Sequence, residues 1–283
     1  MRIGLVGNGF VGNAIYENLK QKHNFYIFDK NPERANCDNL KKVVENCKII
    51  FVALPTPMHG NGSCDLSIIF KVMEEINYFY NDNIIVLKST VVPGTCDEIK
   101  SLYPNIRIVF SPEFLTEANY IEDFKNCNRM IFGGEEEDTA ECVKLLMSVF
   151  QDKYYFTTDL RTAEMVKYFI NNFLAVKVSF ANEFKQICEA AAIDYEKVKN
   201  LALYDNRIAD SHLRVPGPDG NCGFGGTCFP KDINAMIYFS SLKEVDSCIL
   251  KSAWRKNLEV RDNKDWEIMF GRAVSVEGGK NEQ

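Results

Sequence analysis

Short apolar runs alternate with amphipathic stretches over residues 1–158. The apolar runs predict strands at residues 2–6, 25–28, 48–54, 83–88, 107–110, 129–132 and 154–156. Apolar positions at helical spacing predict helices near residues 10–21, 66–80, 95–103 and 137–150. Strands that are apolar along their length and alternate with helices are typical of a mostly parallel sheet covered on both faces. We therefore predict a doubly wound α/β domain over residues 1–158.

The pattern changes after Thr158, where apolar residues recur every three or four positions. This spacing predicts one long helix over residues 161–192, with apolar positions Ala163, Val166, Ile170, Leu174 and Val178. Further helices are predicted at residues 195–203, 230–243 and 245–260. The second domain, residues 159–260, is therefore predicted to be mainly helical around a long central helix. Residues 261–283 are polar and charged and are predicted to form a loose tail.

The composition is typical of a soluble globular protein of two domains, with 283 residues, of which 46% are hydrophobic and 25% charged. A net charge of −6 gives no reason to expect nucleic acid or an anionic membrane as a partner. No apolar run approaches the ~20 residues of a membrane span, and the first strand begins too early for a signal peptide. Ten cysteines without paired spacing and three histidines predict a cytoplasmic protein without disulfides or a metal site.

A glycine-rich run, Gly7-Asn8-Gly9-Phe10-Val11-Gly12, joins the first predicted strand to the first predicted helix. Its glycines allow a tight turn, close approach of a pyrophosphate to backbone N–H groups, and close helix–strand packing. Asp29 ends the second strand, where a carboxylate binds a ribose diol and repels a 2′-phosphate. We therefore predict a Rossmann-like domain that binds NAD, although Lys30 and Arg34 weaken the preference over NADP. The alternative is a glycine turn in an unrelated α/β domain.

Polar residues follow three further strands of the predicted sheet: Thr56, Ser89-Thr90, and the run Ser111–Glu117. Ligands of an open parallel sheet lie beyond the carboxyl ends of its strands, so these residues are predicted to face one crevice. Ordinary turn chemistry is the alternative, and it explains the prolines around Thr56 well. It explains Glu113 and Glu117 poorly, because two acids four apart after a buried strand are expected to point into the crevice together.

Cys228 lies in the run Gly223–Asp232, between a cluster of glycines and the start of a predicted helix. Glycines let the backbone approach a ligand, and a proline such as Pro230 is a favoured first residue of a helix. The helix dipole and the nearby Lys231 both stabilise a thiolate, so Cys228 is predicted to be a nucleophile. The alternative is a buried structural cysteine in a tight turn.

Lys167 and Asn171 are four residues apart and therefore share one face of the predicted long helix. A lysine among apolar neighbours can shift its pKa and transfer protons, and an asparagine beside it can donate to a developing oxyanion. The alternative is a lysine whose ammonium group reaches solvent beside an exposed amide. Cys228 and Asp232 are likewise four residues apart at a helix start.

Seven motifs together resemble the UDP-glucose/GDP-mannose dehydrogenase family. In chain order they are GNGFVG, ALPTP, KSTVVPGT, SPEFLTEANYIEDF, AEMVKYFINNFLAVKVSFANE, DNRI and GFGGTCFPKD, and they extend from residue 1 to about residue 240. The resemblance implies an NAD-dependent, four-electron oxidation of the C6 alcohol of a nucleotide sugar to a carboxylate, with UDP-glucose as the favoured substrate. It also favours the interpretation of Cys228 as a nucleophile.

The resemblance implies catalytic roles at matching positions of the second half. Cys228 resembles the cysteine that traps the aldehyde as a thiohemiacetal, which a second oxidation converts to a thioester that water hydrolyses. Lys167 and Asp232 resemble the pair that handles the alcohol proton, and Asn171 resembles the oxyanion donor.

Further roles are implied for the strand-end residues of the first half. Glu117 resembles the acid that assists thioester hydrolysis, while Thr90 and Glu113 resemble the groups that position its water. The predicted cofactor-binding residues are Gly7, Gly9, Phe10, Val11, Gly12, Asp29, Lys30, Arg34, Thr56, Thr90, Glu117 and Lys231. The predicted substrate-binding residues are Phe114, Leu115, Lys167, Asn171, Arg207, Phe224, Gly225 and Cys228. Arg207 matches an arginine that reaches the substrate of the neighbouring subunit, which implies a homodimer built on the long helix.

Two departures from the family pattern leave the nucleotide contacts open. Family members carry a third, C-terminal α/β domain with many such contacts, whereas this chain has 283 residues. The contacts would then come from the helical domain, the partner subunit or a separate protein. The stretch His212–Asn221 is also longer than in the family and offers Arg214 as a candidate phosphate ligand, with a plain surface loop as the alternative.

Two other functions stay open from the sequence. A two-electron dehydrogenase of a β-hydroxy acid would need Lys167 and Asn171 but not Cys228. A non-catalytic protein that binds NAD and a nucleotide sugar would need no nucleophile. The intact set of acids, lysine and cysteine argues against this second alternative, and the missing third domain argues for it.

Overall fold

The computed structural model describes residues 1–276 and divides the chain into two compact units. The first unit consists of Met1–Thr56 and Leu66–Lys167, and the second consists of Pro57–Asp65 and the chain from Tyr168 onward. The first unit thus extends past residue 158 into the long helix, and one loop after the third strand belongs to the second unit.

Within residues 1–276, seven strands form one sheet in the order β2-β1-β3-β4-β5-β6-β7. They are β1 Arg2–Val6, β2 Asn24–Phe28, β3 Ile49–Val52, β4 Ile84–Leu87, β5 Arg107–Phe110, β6 Arg129–Gly133 and β7 Tyr154–Thr158. Neighbouring strands are parallel except β5 and β6, which pair antiparallel at Phe110 and Gly133. The predicted doubly wound, mostly parallel α/β fold is confirmed. The strand order reverses between β1 and β3, where ligands of such sheets bind.

The helices of the first unit pack over two hydrophobic clusters, one on each face of the sheet. They are α1 Phe10–Leu19, α2 Leu40–Asn46, α3 Ser67–Phe79, α4 Thr95–Leu102, α5 Tyr120–Asn126 and α6 Glu136–Met147. Along β3, Ile49 and Phe51 point into one cluster while Ile50 and Val52 point into the other. Burial on both faces explains why the central strands read as continuous apolar runs.

The helices α2 and α5 are absent from the sequence-based predictions. Each has seven residues, which is too short for an apolar spacing of three and four to repeat. The start of α2 is defined by Asn39, whose side chain accepts a hydrogen bond of 3.0 Å from the Lys42 N–H. A cap of this kind is a sequence signal that the apolar pattern does not contain.

The second unit is mainly helical, as the spacing predicts. The long helix α7, Leu160–Ala190, begins in the first unit and continues into the second, and it is followed by α8 Tyr195–Ala202, α9 Phe229–Leu242 and α10 Cys248–Val260. Asp194 caps α8 by accepting from the Glu196 and Lys197 N–H groups, and Pro230 lies in the first turn of α9. Phe224 packs among Ala175, Ile233 and Ala253, which joins three of these helices in one hydrophobic cluster.

The prediction of a loose tail after residue 260 is wrong for residues 261–276. Arg261, Trp266, Ala273 and Ser275 are all buried. The Met58 N–H donates to the Ala273 carbonyl at 2.8 Å, and the Ser275 N–H donates to the Met58 carbonyl at 2.9 Å. The polar composition is misleading because ion pairs of the buried Arg261 side chain and backbone hydrogen bonds, instead of apolar side chains alone, hold this segment. Residues 277–283 lie outside the described part of the chain.

Candidate active site

The glycine run between β1 and α1 brings backbone atoms into close contact. Gly7 has a φ of +89°, and a Cβ there would lie 2.3 Å from the Ala53 carbonyl oxygen. A Cβ on Gly12 would lie 2.0 Å from the Gly7 carbonyl oxygen, so α1 can approach the loop only with a glycine at this position. A Cβ on Gly9 would meet nothing within 4 Å, which leaves open space over the first N–H groups of α1.

Asp29 holds this loop from the end of β2. Its carboxylate accepts from the Asn8 N–H at 2.6 Å and from the Asn31 N–H at 2.8 Å. The Asn8 side-chain amide donates to the Arg34 carbonyl at 2.8 Å, and its Oδ1 atom is buried and has no hydrogen-bond partner among residues 1–276. Lys30 and Arg34 are exposed beside it.

These residues fit a dinucleotide. The carboxylate of Asp29 retains lone pairs for a ribose diol, and the buried Asn8 oxygen can accept from a ligand donor. No residue in the first turn of α1 is acidic, so the positive end of this helix dipole is available to a pyrophosphate. Phe10 and Val11, the next two predicted cofactor contacts, form the first turn of this helix.

The loops after β3 and β4 are linked directly. The Thr56 hydroxyl donates to the Thr90 carbonyl at 2.7 Å, and the Ser89 hydroxyl accepts from the Leu54 N–H at 2.8 Å. Thr56, Ser89 and Thr90 are all buried. The structure therefore brings together polar residues that the sequence predicts at the ends of neighbouring parallel strands.

Glu113 and Lys167 form a buried ion pair in the first unit. Lys167 Nζ donates to Glu113 Oε1 at 2.8 Å and to the Glu113 carbonyl at 2.7 Å, and the two side chains are 3% and 10% exposed. Burial opposes ionisation of Glu113, but the charge and hydrogen bond of Lys167 outweigh it and hold the pKa of Glu113 below its usual value. The surface-lysine alternative for Lys167 is wrong, because this ammonium group is buried.

Lys88, at the end of β4, is a functional candidate that the sequence analysis does not identify. Its buried ammonium group donates to the Ser111 hydroxyl at 3.1 Å and to the Pro112 carbonyl at 3.2 Å. Burial lowers the pKa of Lys88 to about 8, and the nearby Glu113 charge offsets only part of this effect. A lysine that ends a fully apolar strand, directly before Ser89, is the signal that could have identified it.

The two acids of the run after β5 lie in different environments. Glu113 is buried against Lys167, whereas Glu117 is exposed. The expectation that both point together into one crevice depended on a regular geometry, but the run contains no helix or strand before α5. The Phe114 ring lies 4.8 Å from the Arg129 guanidinium and 5.7 Å from Lys167 Nζ, and the Leu115 N–H donates to Glu113 Oε2 at 2.8 Å.

Glu164, one turn before Lys167 on α7, is a second residue that the sequence analysis does not identify. Its buried carboxylate accepts from the Gly94 N–H at 2.6 Å and from the Cys96 N–H at 2.9 Å. It thereby holds the start of α4 and the KSTVVPGT loop, while burial raises the pKa of Glu164.

In the second unit, Asp232 is the centre of a buried polar cluster. Its carboxylate accepts from Asn171 Nδ2 at 2.6 Å and from Lys231 Nζ at 2.5 Å. Burial opposes protonation of Lys231, but the charge of Asp232 outweighs it and the pKa of Lys231 is raised. The structure thus brings together Asn171, Lys231 and Asp232, three residues that the sequence predicts for the site.

Cys228 lies at the amino end of α9, one turn before Asp232. Its carbonyl accepts the Asp232 N–H at 3.0 Å, and its Sγ atom is 3.8 Å from the Thr227 hydroxyl. It is partly buried, so the alternative of a sealed core cysteine does not describe it. All ten cysteines lie in the described part of the chain, and none of them forms a disulfide there.

The predicted substrate contacts of the second unit have different surroundings. The Phe224 side chain is buried in the hydrophobic cluster, and Gly225 lies against Arg261 and Asp265. Arg207 is exposed and forms an ion pair with Asp205, its neighbour in the same loop. Within residues 1–276 no helix is long and apolar enough to cross a membrane, and no group of three or more histidine, cysteine or acidic side chains could hold a metal ion.

Two family models match this chain. The NAD binding domain of the UDP-glucose/GDP-mannose dehydrogenase family matches residues 29–151, and the central domain of the same family matches residues 161–259. The chain belongs to this family. The resemblance found in the sequence is confirmed, and the first unit carries the family's NAD-binding domain.

Relatives and solved structures agree with this assignment. The UDP-glucose 6-dehydrogenase of Rickettsia bellii is 34% identical over 223 residues, which cover 76% of this chain and 50% of the relative. The UDP-glucose 6-dehydrogenase YwqF of Bacillus subtilis is 35% identical over 247 residues, covering 84% and 54%. The structure of a UDP-glucose dehydrogenase from Pyrobaculum islandicum matches with a TM-score of 0.82 at 25% identity, covering 91% of this chain and 68% of that chain. The chain spans about half the length of the curated relatives it matches.

Proposed function

We propose that this protein oxidises the C6 alcohol of a nucleotide sugar to a carboxylate in two NAD-dependent steps, with UDP-glucose as the favoured substrate. The observation that carries the proposal is the partly buried Cys228 thiol at the amino end of α9, one turn from the Asp232 cluster. A two-electron dehydrogenase has no use for a thiol at this position, whereas a four-electron oxidation needs a group that retains the aldehyde.

The first unit would hold the cofactor. Gly9 and Gly12 admit the pyrophosphate to the start of α1, and Asp29 would bind the ribose diol. NAD, when bound, supplies the electron acceptor for both oxidations. Thr56, in the loop after β3, would contact its nicotinamide half.

Lys167 and Asp232 would handle the proton of the alcohol. The buried charge of Glu113 keeps Lys167 in place, and hydrogen bonds from Asn171 and Lys231 orient the Asp232 carboxylate. Asn171 would also donate to the oxyanion that forms when the thiol adds to the aldehyde.

Cys228 would add through its sulfur to the aldehyde carbon, which forms a C–S bond and a thiohemiacetal. The second oxidation would remove a hydride from that carbon and a proton from its hydroxyl group, leaving a thioester. Water then breaks the C–S bond, releasing the carboxylate and regenerating the thiol. Glu117 would accept the proton of this water, with Thr90 and Glu113 holding it in place.

We also propose that the protein is a homodimer built on α7. An exposed apolar stripe on this helix supports the proposal: Phe169, Phe173, Phe180, Phe184 and Ile187. These positions recur every three, four or seven residues and so lie on one helix face. Arg207, exposed in the loop after α8, would reach the substrate of the partner subunit.

The test of the catalytic proposal is incubation with NAD and a panel of UDP- and GDP-sugars while reduced cofactor is followed by absorbance. Two reduced cofactors per sugar and a uronic acid product are expected for the wild type, because a four-electron oxidation reduces NAD twice. Cys228→Ser should stop short of the acid. A variant that still makes the acid at the wild-type rate would favour a mechanism without a thiol, and a wild type inactive on every sugar would favour a binding protein.

A further inference from the structure

Side chains, instead of a strand or helix, hold the glycine loop of residues 223–226, which precedes Cys228. The Gly223 N–H donates to Asn182 Oδ1 at 3.1 Å, and the Gly226 N–H donates to Asp265 Oδ2 at 3.1 Å. The Phe224 N–H and carbonyl both bond the Asn257 amide, at 2.7 and 3.0 Å. Every partner belongs to the second unit.

Arg261 is the charged centre of this arrangement, and its side chain is 1% exposed. Its guanidinium donates to Asp219 Oδ2 at 2.8 Å, to Asp265 Oδ1 at 3.2 Å and to the Cys222 and Asn263 carbonyls at 3.4 and 2.8 Å. A buried charge is stable only with partners of this kind. Burial opposes ionisation of Asp219, but the hydrogen bond from Arg261 outweighs it and lowers the pKa of Asp219.

The loop backbone lies directly on these ion pairs. A Cβ on Gly225 would be 2.2 Å from Arg261 Nη2 and 2.2 Å from Asp265 Oδ1. Residue 225 must therefore be a glycine, because the Arg261 guanidinium occupies the place of a side chain. The same guanidinium donates to Asp219, which precedes the glycine loop in the chain. Arg261 thus contacts the chain both before and within the glycine loop.

We propose that Arg261 is a positioning residue for Cys228. Its ion pairs with Asp219 and Asp265 fix the glycine loop, and the fixed loop holds the thiol at the start of α9 in one orientation. This inference rests on the proposed function, in which the thiol must add to the aldehyde before the aldehyde leaves. A loop without these ion pairs would let part of the aldehyde escape between the two oxidations.

The experiment compares Arg261→Met and Arg261→Lys with the wild type, and uses Arg255→Met, an exposed arginine of α10, as the matched control. The first readout is reduced cofactor per sugar consumed, with released aldehyde trapped by a hydrazine. We expect the ratio to fall from two toward one for Arg261→Met, to be partly restored by Arg261→Lys, and to stay at two for the control. A smaller folded fraction alone would lower the rate and leave this ratio unchanged.

The second readout is amide hydrogen exchange, which needs no activity. The peptide of residues 222–228 should exchange about tenfold faster in Arg261→Met, while the β4 peptide should keep its wild-type rate. A ratio of two together with unchanged exchange in both variants would overturn the inference, as would faster exchange throughout both units. A wild type that reduces no NAD with any nucleotide sugar would instead contradict the proposed function. The hydrogen exchange of residues 222–228 would then still test whether Arg261 fixes the glycine loop.

Discussion

In the first unit the candidate polar groups follow the ends of parallel strands, whereas in the second unit Cys228 follows a loop without regular structure. The ladder β1-β3-β4-β5 places Thr56, Thr90 and Glu113 through backbone pairing that the apolar runs specify. The glycine loop before Cys228 depends on the side chains of Asn257 and Arg261, which come from later in the chain. The first kind of site is therefore read from local sequence, and the second requires knowledge of tertiary contacts.

The largest expected effect tests the first unit. Lys167→Met leaves the Glu113 carboxylate buried without its main partner, so the free energy of unfolding should fall by about 3–5 kcal/mol. Urea denaturation measures this change. The matched control is Lys100→Met, which breaks the exposed pair of Lys100 with Glu135 and should cost less than about 1 kcal/mol. Equal effects of the two variants would show that the buried pair has no special role.

The next largest effect tests whether the Asn257 side chain stabilises the glycine loop of the second unit. Asn257→Ala removes the partner of both backbone groups of the buried Phe224, so unfolding should require about 2–4 kcal/mol less free energy. The control is Asn200→Ala, an exposed asparagine of α8, for which no measurable change is expected. A stable Asn257→Ala protein with unaltered hydrogen exchange at residues 222–228 would contradict the proposed support.

A smaller effect on stability is expected in the NAD-binding loop, where Gly12 is needed for packing and Gly9 leaves space for the ligand. Gly12→Ala places a Cβ against the Gly7 carbonyl and should cost about 1–3 kcal/mol of stability. Gly9→Ala has open space for its Cβ and should leave stability within about 0.5 kcal/mol, while weakening NAD binding measured by fluorescence titration. If Gly12→Ala is as stable as Gly9→Ala, α1 does not pack so closely against the Gly7 carbonyl.

The smallest expected effect is a dependence of the free energy of unfolding on pH, which arises from the ionisation of Lys88. Its pKa is lowered from 10.5 to about 8, so above pH 8 the unfolded chain binds more protons than the folded one. The free energy of unfolding should therefore rise with pH in this range, by about 1 kcal/mol between pH 8 and pH 9. The difference between wild type and Lys88→Met isolates this contribution from other titrations. A difference that is constant between pH 8 and pH 9 would contradict the low pKa of Lys88.

Much of the fold could be predicted from the sequence, because strands buried on both faces and amphipathic helices leave strong periodic patterns. The strand ends also predicted that Thr56 and Thr90 face one crevice, and a hydrogen bond joins them. The hydrogen bond between Asn171 and Asp232 was not predicted, because helical spacing places Asn171 with Lys167 and Asp232 with Cys228. The Glu164 site could not be predicted, since its carboxylate binds backbone N–H groups that are distant in sequence. The hydrogen-bond partners of Lys88 could not be predicted for the same reason, although its place after an apolar strand marks it as a candidate. Arg261 was assigned to a loose tail for the same reason: its two carboxylate partners are known only once the loops have folded.

The proposed four-electron oxidation requires that the thiol of Cys228 carries the sugar between the two oxidations. The direct measurement is peptide mass spectrometry of Glu117→Gln quenched in acid during turnover with NAD and UDP-glucose, because slowed thioester hydrolysis should let the intermediate accumulate. We expect a sugar-nucleotide acyl group on the peptide that contains Cys228 and on no other cysteine peptide. Turnover to the uronic acid with Cys228 unmodified in both wild type and variant, or with the acyl group on a different cysteine, would contradict the proposal.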